Sequence, residues 1–171
     1  MLTKLLNKFA DWAVNRSVHE PATSEAESDL RVRGYVIRDL FTDEPYLTRV
    51  VFPRVPLLGF RPLLHKFHRP DGERTLHNHP WTSALSIILS GSYTEERLYP
   101  DGVTRTRSIS WFNYLTSRDY HRVVELHGEV WTLFVTGRRV QNWGFLENGQ
   151  FIRFDEYISR KRKEYRSLKM L

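Results

Sequence analysis

Seven histidines stand at positions 19, 65, 68, 77, 79, 121 and 127, and the chain has no cysteine. The absence narrows the chemistry. Without thiols there is no disulfide framework, no thiolate zinc site and no cysteine nucleophile, so metal binding falls to imidazole and carboxylate. His77-Asn78-His79 is the informative pair. On a strand, residues i and i+2 point to one face, so both rings can reach a single ion without backbone distortion. A third ligand must come from elsewhere, and His121, in the run 120–126, is the natural candidate. His65 and His68 have opposite parity, so at most one faces inward with its strand.

Other polar residues fall into register around these three. Tyr93, Glu95 and Arg97 share one face of the run 92–99. Facing inward, they offer a phenol and a carboxylate as catalytic groups and a guanidinium to bind a substrate carboxylate. Facing outward, they are ordinary cross-strand pairs. The inward arrangement is the expectation. Glu125 shares the parity of His121 and is expected behind a ligand, as the acceptor that fixes an imidazole tautomer, with a fourth ligand or a salt-bridge partner as the alternatives. Trp81 follows Pro80 and is expected over the mouth of the site, with Trp111, Trp131 and Trp143 as packing aromatics.

The elements that must carry these residues are mostly strands. Turn signals recur at Asp43-Glu44-Pro45, Arg69-Pro70-Asp71-Gly72, Gly91, Pro100-Asp101-Gly102, His127-Gly128-Glu129 and Asn148-Gly149. The stretches 33–39, 63–68, 84–89, 92–99, 103–109, 120–126, 130–136 and 150–154 are β-branched, aromatic or alternating. Many short strands with frequent turns predict an all-β sandwich or barrel. Leu2, Leu5, Leu6, Phe9, Trp12 and Ala13 recur at helical steps and predict an amphipathic N-terminal helix. Residues 19–29, polar with one proline, read as a linker after it. The expected division is 1–29 for helix and linker, 30–154 for the barrel and 155–171 for a basic C-terminal helix. Asp155 and Glu156 near the start of that last helix, with basic residues after them, suit its dipole.

The chain has 171 residues and a net charge of +6. The location of that charge matters more than its size. Residues 1–18 carry a net +2 and residues 153–171 a net +4, which leaves the body with 16 charges of each sign. No basic stripe crosses the body, so a nucleic-acid partner is not expected. No apolar run approaches the ~18 residues of a membrane span. Residues 1–14 interleave Lys4, Lys8 and Asp11 with apolar residues, unlike a signal peptide. The expectation is a cytoplasmic protein without integral membrane association.

After His79 come four residues, then Ala84, then six more, then Gly91. This resembles the first cupin motif, in which H-x-H precedes a Glu and a later Gly at those spacings. Thr116-Ser117-Arg118-Asp119-Tyr120-His121, with Glu125 four positions on, resembles the second. The runs H-N-H-P-W, L-S-I-I-L-S-G-S-Y-T-E-E, W-T-L-F-V-T-G and W-G-F are similar to those of a family of small cupins from bacteria and their phages. The resemblance covers roughly residues 65–145. It implies a jelly-roll barrel, a double-stranded β-helix, that binds one divalent metal through His77, His79 and His121. It also implies a homodimer, since cupins commonly pair.

The departures carry information too. Ala84 stands where the usual metal-binding Glu is expected, Gly72 is one residue too close to His77, and Thr116 and Arg118 replace a Pro and a Gly. Three imidazoles without a carboxylate resemble the site of cysteine dioxygenase and its relatives. That resemblance implies iron(II) and an iron-dependent dioxygenase acting on a small anionic substrate. Zinc, nickel, manganese and copper are alternatives, because imidazole accepts all of them. Ala84 is alternatively the mark of a lost site, although all three histidines remain. Two other functions stay open: a metal-dependent isomerase, epimerase or lyase, and a non-enzymatic small-molecule binder.

Overall fold

The computed structural model describes residues 1–19, 30–39, 42–55, 59–72 and 75–168. Of the expected linker at 19–29, His19 ends the first helix and residues 20–29 lie outside the described residues. A helix, α1 (Leu2–His19), precedes the strands β1 (Arg33–Arg38), β2 (Pro45–Val51), β3 (Arg61–Phe67) and β4 (Leu76–His77). The long strand β5 (Ser83–Leu98) follows, then β6 (Thr104–Ile109), β7 (Phe112–Thr116) and the long strand β8 (His121–Thr136). The chain closes with β9 (Gly144–Glu147), β10 (Gln150–Arg153) and a second helix, α2 (Phe154–Leu168).

All pairings are antiparallel, and β5 with β8 forms the spine. The second half of β8 pairs with β3 on one side and with the first half of β5 on the other. The order on that wall is β1-β2-β3-β8-β5-β7. The first half of β8 meets β4 at His121, and the second half of β5 pairs with β6. The other wall therefore runs β10-β9-β4-β8-β5-β6. Two long strands cross between two walls and enclose one interior, as in a jelly roll.

Gly91 and Gly128, expected in turns between separate strands, lie inside β5 and β8. Both have positive φ, 66° and 80°. The β5–β8 register shifts on either side of Ser90, so the glycines mark bulges that bend the spine from one wall to the other. A Cβ at Gly91 would lie 2.8 Å from the Glu129 carbonyl oxygen, so the bend also needs a residue without a side chain.

Helix α1 covers the outer face of the first wall. Ala10 and Ala13 are buried against Val50, Leu64 and Trp131, with Leu6 and Phe9 packed beside them. The buried stripe is narrower than the sequence suggested, because Leu2, Leu5 and Trp12 are largely exposed. The helix sits close because β1 offers Gly34, where a Cβ would lie 2.6 Å from the Val14 nitrogen. The Gly34 N–H also donates to Ser17 Oγ at 2.8 Å. Lys66 bridges the helix to the sheet, through Asn7 Oδ1 at 2.5 Å and Glu129 at 3.0 Å.

Helix α2 closes the other wall. Tyr157 is buried and stacks on Phe145 with ring centroids 4.1 Å apart, and Phe154 stacks on Trp143 at 4.2 Å. Trp131 and Trp143 pack as expected, whereas Trp111 is 81% exposed. No helix among the described residues is long and apolar enough to cross a membrane.

Candidate metal centre

His77 ends β4 and pairs across the sheet with His121, the first residue of β8. His79 lies just past the end of β4, and Asn78 between the two locks the segment in place. The Asn78 N–H donates to the Gly144 carbonyl at 3.1 Å, and Gly144 N–H returns a bond to Asn78 Oδ1 at 3.0 Å. Gln141 Nε2 donates to the carbonyls of His79 and Ser117 at 3.2 and 2.6 Å. Both histidine side chains are therefore set by a well-bonded backbone.

The turn into β8 is built from Thr116 and Asp119 rather than from Pro and Gly. Asp119 Oδ2 accepts from the Thr116 N–H at 2.6 Å and from the Thr116 hydroxyl at 2.7 Å. A side-chain acceptor of this kind makes a tight turn without the replaced residues.

The three imidazoles converge, with one candidate ligand atom from each within 4.8 Å of the others. His79 Nε2 and His121 Nε2 are 2.9 Å apart. Burial pushes His77 down to about 4, with His121 adding to the effect and Asp71 and Glu95 opposing it. His79 is held well below the usual histidine range by burial first, then by His121 and His77, and then by Arg49 and His65. Both rings are neutral at neutral pH, so their lone pairs are available. The donor set fits a single transition-metal ion of borderline softness.

His121 donates from Nδ1 to Glu95 Oε2 at 3.0 Å, which turns its Nε2 toward the cluster. Glu95 is fully buried. It also accepts from Arg97 Nε at 2.9 Å and Asn113 Nδ2 at 2.5 Å, and pairs with Arg107 Nε at 3.0 Å. Burial alone would raise its pKa, but the bond from His121 and the charges of Arg97 and Arg107 outweigh it and leave the carboxyl below its ordinary value. Glu95 is a held anion behind His121.

The inward face expected for Tyr93, Glu95 and Arg97 is the one observed, but their partners differ from the expected roles. The Tyr93 hydroxyl accepts from Asn113 Nδ2 at 3.2 Å, and the ring packs with Ile109, Val123 and Val130. Burial first of all pushes its phenol up to about 12. Arg97 is engaged within the protein: besides Glu95, its Nη2 donates to Asn113 Oδ1 at 2.7 Å and to the Tyr114 carbonyl at 3.2 Å.

Glu125 does not hold an imidazole. Thr94 pairs with Glu125 but Glu95 pairs with Val123, so Val124 is an extra residue in β8. That bulge reverses the parity counted from His121. Glu125 faces solvent, 3.8 Å from His127. The carboxylate behind His121 comes from β5 instead.

Three further features surround the cluster, and of their residues only Trp81 was expected there from the sequence. Asp71 Oδ2 lies 4.0 Å from His77 Nδ1, and Asp71 is fixed by the Val123 N–H at 2.6 Å and by the Tyr46 hydroxyl. Arg49, opposite His65 in the β2–β3 register, donates from Nε to His65 Nε2 at 2.9 Å. Aromatic rings form the walls: Trp81 stacks on His79 at 5.5 Å, and Phe134 lies 5.8 Å from His79. Ala84, at the position of the missing carboxylate, is buried beside Leu115 and Phe134 and presents only a methyl.

With antiparallel walls, a bent β5–β8 spine and a convergent H-x-H plus third histidine, the barrel is a cupin fold with a helix at each end. Two solved structures with TM-scores above 0.5 agree. A Bacillus subtilis oxalate decarboxylase variant with one tryptophan replaced by tyrosine superimposes with a TM-score of 0.53 at 11% identity, over 81% of this chain and 34% of that one. The oxalate decarboxylase used to assign its Mn(II) centres matches with a TM-score of 0.52, also at 11% identity and with the same coverage. An Fe(II)-HppE structure matches with a TM-score of 0.45 at 9% identity, over 61% of this chain and 56% of that one. The chain spans about a third of the length of the oxalate decarboxylase chains, so the likeness concerns the fold. No protein-family model matches the sequence, and no curated protein matches it.

Proposed function

We propose that this chain is a mononuclear metal-binding cupin in which His77, His79 and His121 hold one divalent ion, and that it acts as an iron-dependent dioxygenase on a small anionic substrate. The observation that carries this reading is the convergence of three imidazoles, two of them kept neutral, in a barrel where Ala84 supplies no fourth ligand. Iron(II) held by three neutral ligands supplies open positions for substrate and dioxygen together. The protein's own groups do the rest. Glu95 fixes the tautomer and direction of His121. Asn78 and Gln141 hold His77 and His79 at a set separation. Phe134, Trp81 and the Ala84 methyl line the site with apolar surface that excludes water.

Elemental analysis of tag-free protein tests the reading most directly. Stoichiometric iron, lost in His77→Ala, supports it, and a wild type that retains no metal after reconstitution overturns it. Iron-dependent oxygen uptake across a panel of small acids and thiols then tests the dioxygenase assignment. Turnover with zinc or nickel under anaerobic conditions would instead assign Lewis-acid isomerase, epimerase or lyase chemistry.

A further inference from the structure

Among the described residues, one guanidinium inside the barrel has no anionic partner. Arg49 and His65 face each other across β2 and β3. Arg49 shares the parity of Val51, and His65 that of Leu63, and both apolar residues belong to the interior cluster around Phe134. Arg49 therefore points inward, away from α1. Its Nε is used on His65 at 2.9 Å, but neither Nη atom has a hydrogen-bond partner and no carboxylate pairs with it among the described residues. Arg97 and Arg107, by contrast, both pair with Glu95. A half-buried guanidinium without a counter-charge is costly, and its open edge matches a carboxylate in two-pronged geometry.

The position of Arg49 is as informative as its charge. The His65 ring stacks on Phe134 with centroids 5.2 Å apart, and the same Phe134 ring lies 5.8 Å from His79. One aromatic ring thus separates the Arg49–His65 pair from the histidine cluster. The Arg49 charge is also felt at His79, where it adds to the lowering caused mainly by burial. His65 accepts the Arg49 Nε–H at Nε2, so its neutral ring holds the guanidinium in one orientation.

We propose that Arg49, oriented by His65, is a carboxylate-binding site in the barrel that anchors the anionic arm of the ligand beside the three histidines. This deepens the proposed function and takes the anionic ligand from it. The assignment itself rests on Arg49 and needs no metal.

Oxalate is the probe, titrated into metal-free protein with Trp fluorescence and calorimetry as readouts, and neutral oxamide is the control. Wild type should bind oxalate saturably and oxamide far more weakly. Loss of a charge-assisted contact in Arg49→Gln should weaken oxalate binding about 10- to 100-fold. Arg105→Gln, on the exposed face, should leave it unchanged. Arg49→Met keeps the aliphatic stem and repeats the test if the Gln variant does not fold. Metal-free His77→Ala should still bind oxalate, so a failed metal assignment leaves this result readable. Equal binding of oxalate by wild type and a folded Arg49 variant overturns the proposal, as does a wild type that fails to prefer oxalate over oxamide.

Discussion

His121 is held by Glu95, and Glu95 is held in turn by Arg97, Arg107 and Asn113. Glu95→Gln keeps the shape but removes the charge, and metal affinity measured against a competing chelator should fall about 10- to 100-fold. Glu95→Ala leaves two arginines without their carboxylate and should cost about 3–5 kcal/mol in denaturant unfolding. The histidines make a separate prediction. His77 is lowered by burial to about 4, so the unfolded chain takes up a proton there before the folded one does. The stability of metal-free protein should therefore be complete above the ordinary histidine value near 6.5 and be lost as pH falls toward about 4. Thermal melts across that range check the sign. His77 and His79 were legible because H-x-H parity is a local property, and His121 because it opens a strand-like run that resembles the second cupin motif. Glu125 misled because parity survives only until a bulge, and the extra Val124 is defined by the facing strand. Arg49 was silent for a related reason: its partner His65 is set by a β2–β3 register that the sequence does not print.

At the scale of elements, the runs 84–89 and 92–99 were legible as strands, and so were 120–126 and 130–136. Their fusion into β5 and β8 was not, because a glycine between two strands has the same signature as a glycine bulging one strand. β2 was hidden behind its Asp43-Glu44-Pro45 turn signal, although Tyr46–Val51 is rich in β-formers. β4, β7 and β9 span only 2, 5 and 4 residues, too short for periodicity to register. The bend gives a direct test. Gly91→Ala combines positive φ with a Cβ 2.8 Å from a carbonyl oxygen and should destabilise the barrel by about 1–3 kcal/mol in equilibrium unfolding. Gly34→Ala should act locally by lifting α1, and hydrogen exchange should then rise across α1 and β1 more than across β5 and β8.

At the scale of the molecule, the two helices have unlike duties. α1 shields the outside of one wall, whereas α2 reaches the site through Tyr157, which stacks on Phe145, itself 6.1 Å from the His77 ring. Tyr157→Ala should therefore disturb metal affinity as well as stability, while substitution of exposed Trp12 should alter neither; chelator competition beside thermal melts separates the two. The pairing that closes the cluster has a consequence for time. His79 and His121 are 42 residues apart in the chain, and Glu95 and His121 are 26 apart. Such contacts form only after long loops have closed, which in β-rich chains comes late. The local pair His77 and His79 offers an ion only two of its three rings, so full affinity waits for His121 and the closed barrel. Saturating zinc should thus leave the refolding rate nearly unchanged and slow unfolding instead, so that occupancy of the centre acts as a latch on a finished barrel rather than a seed for its assembly.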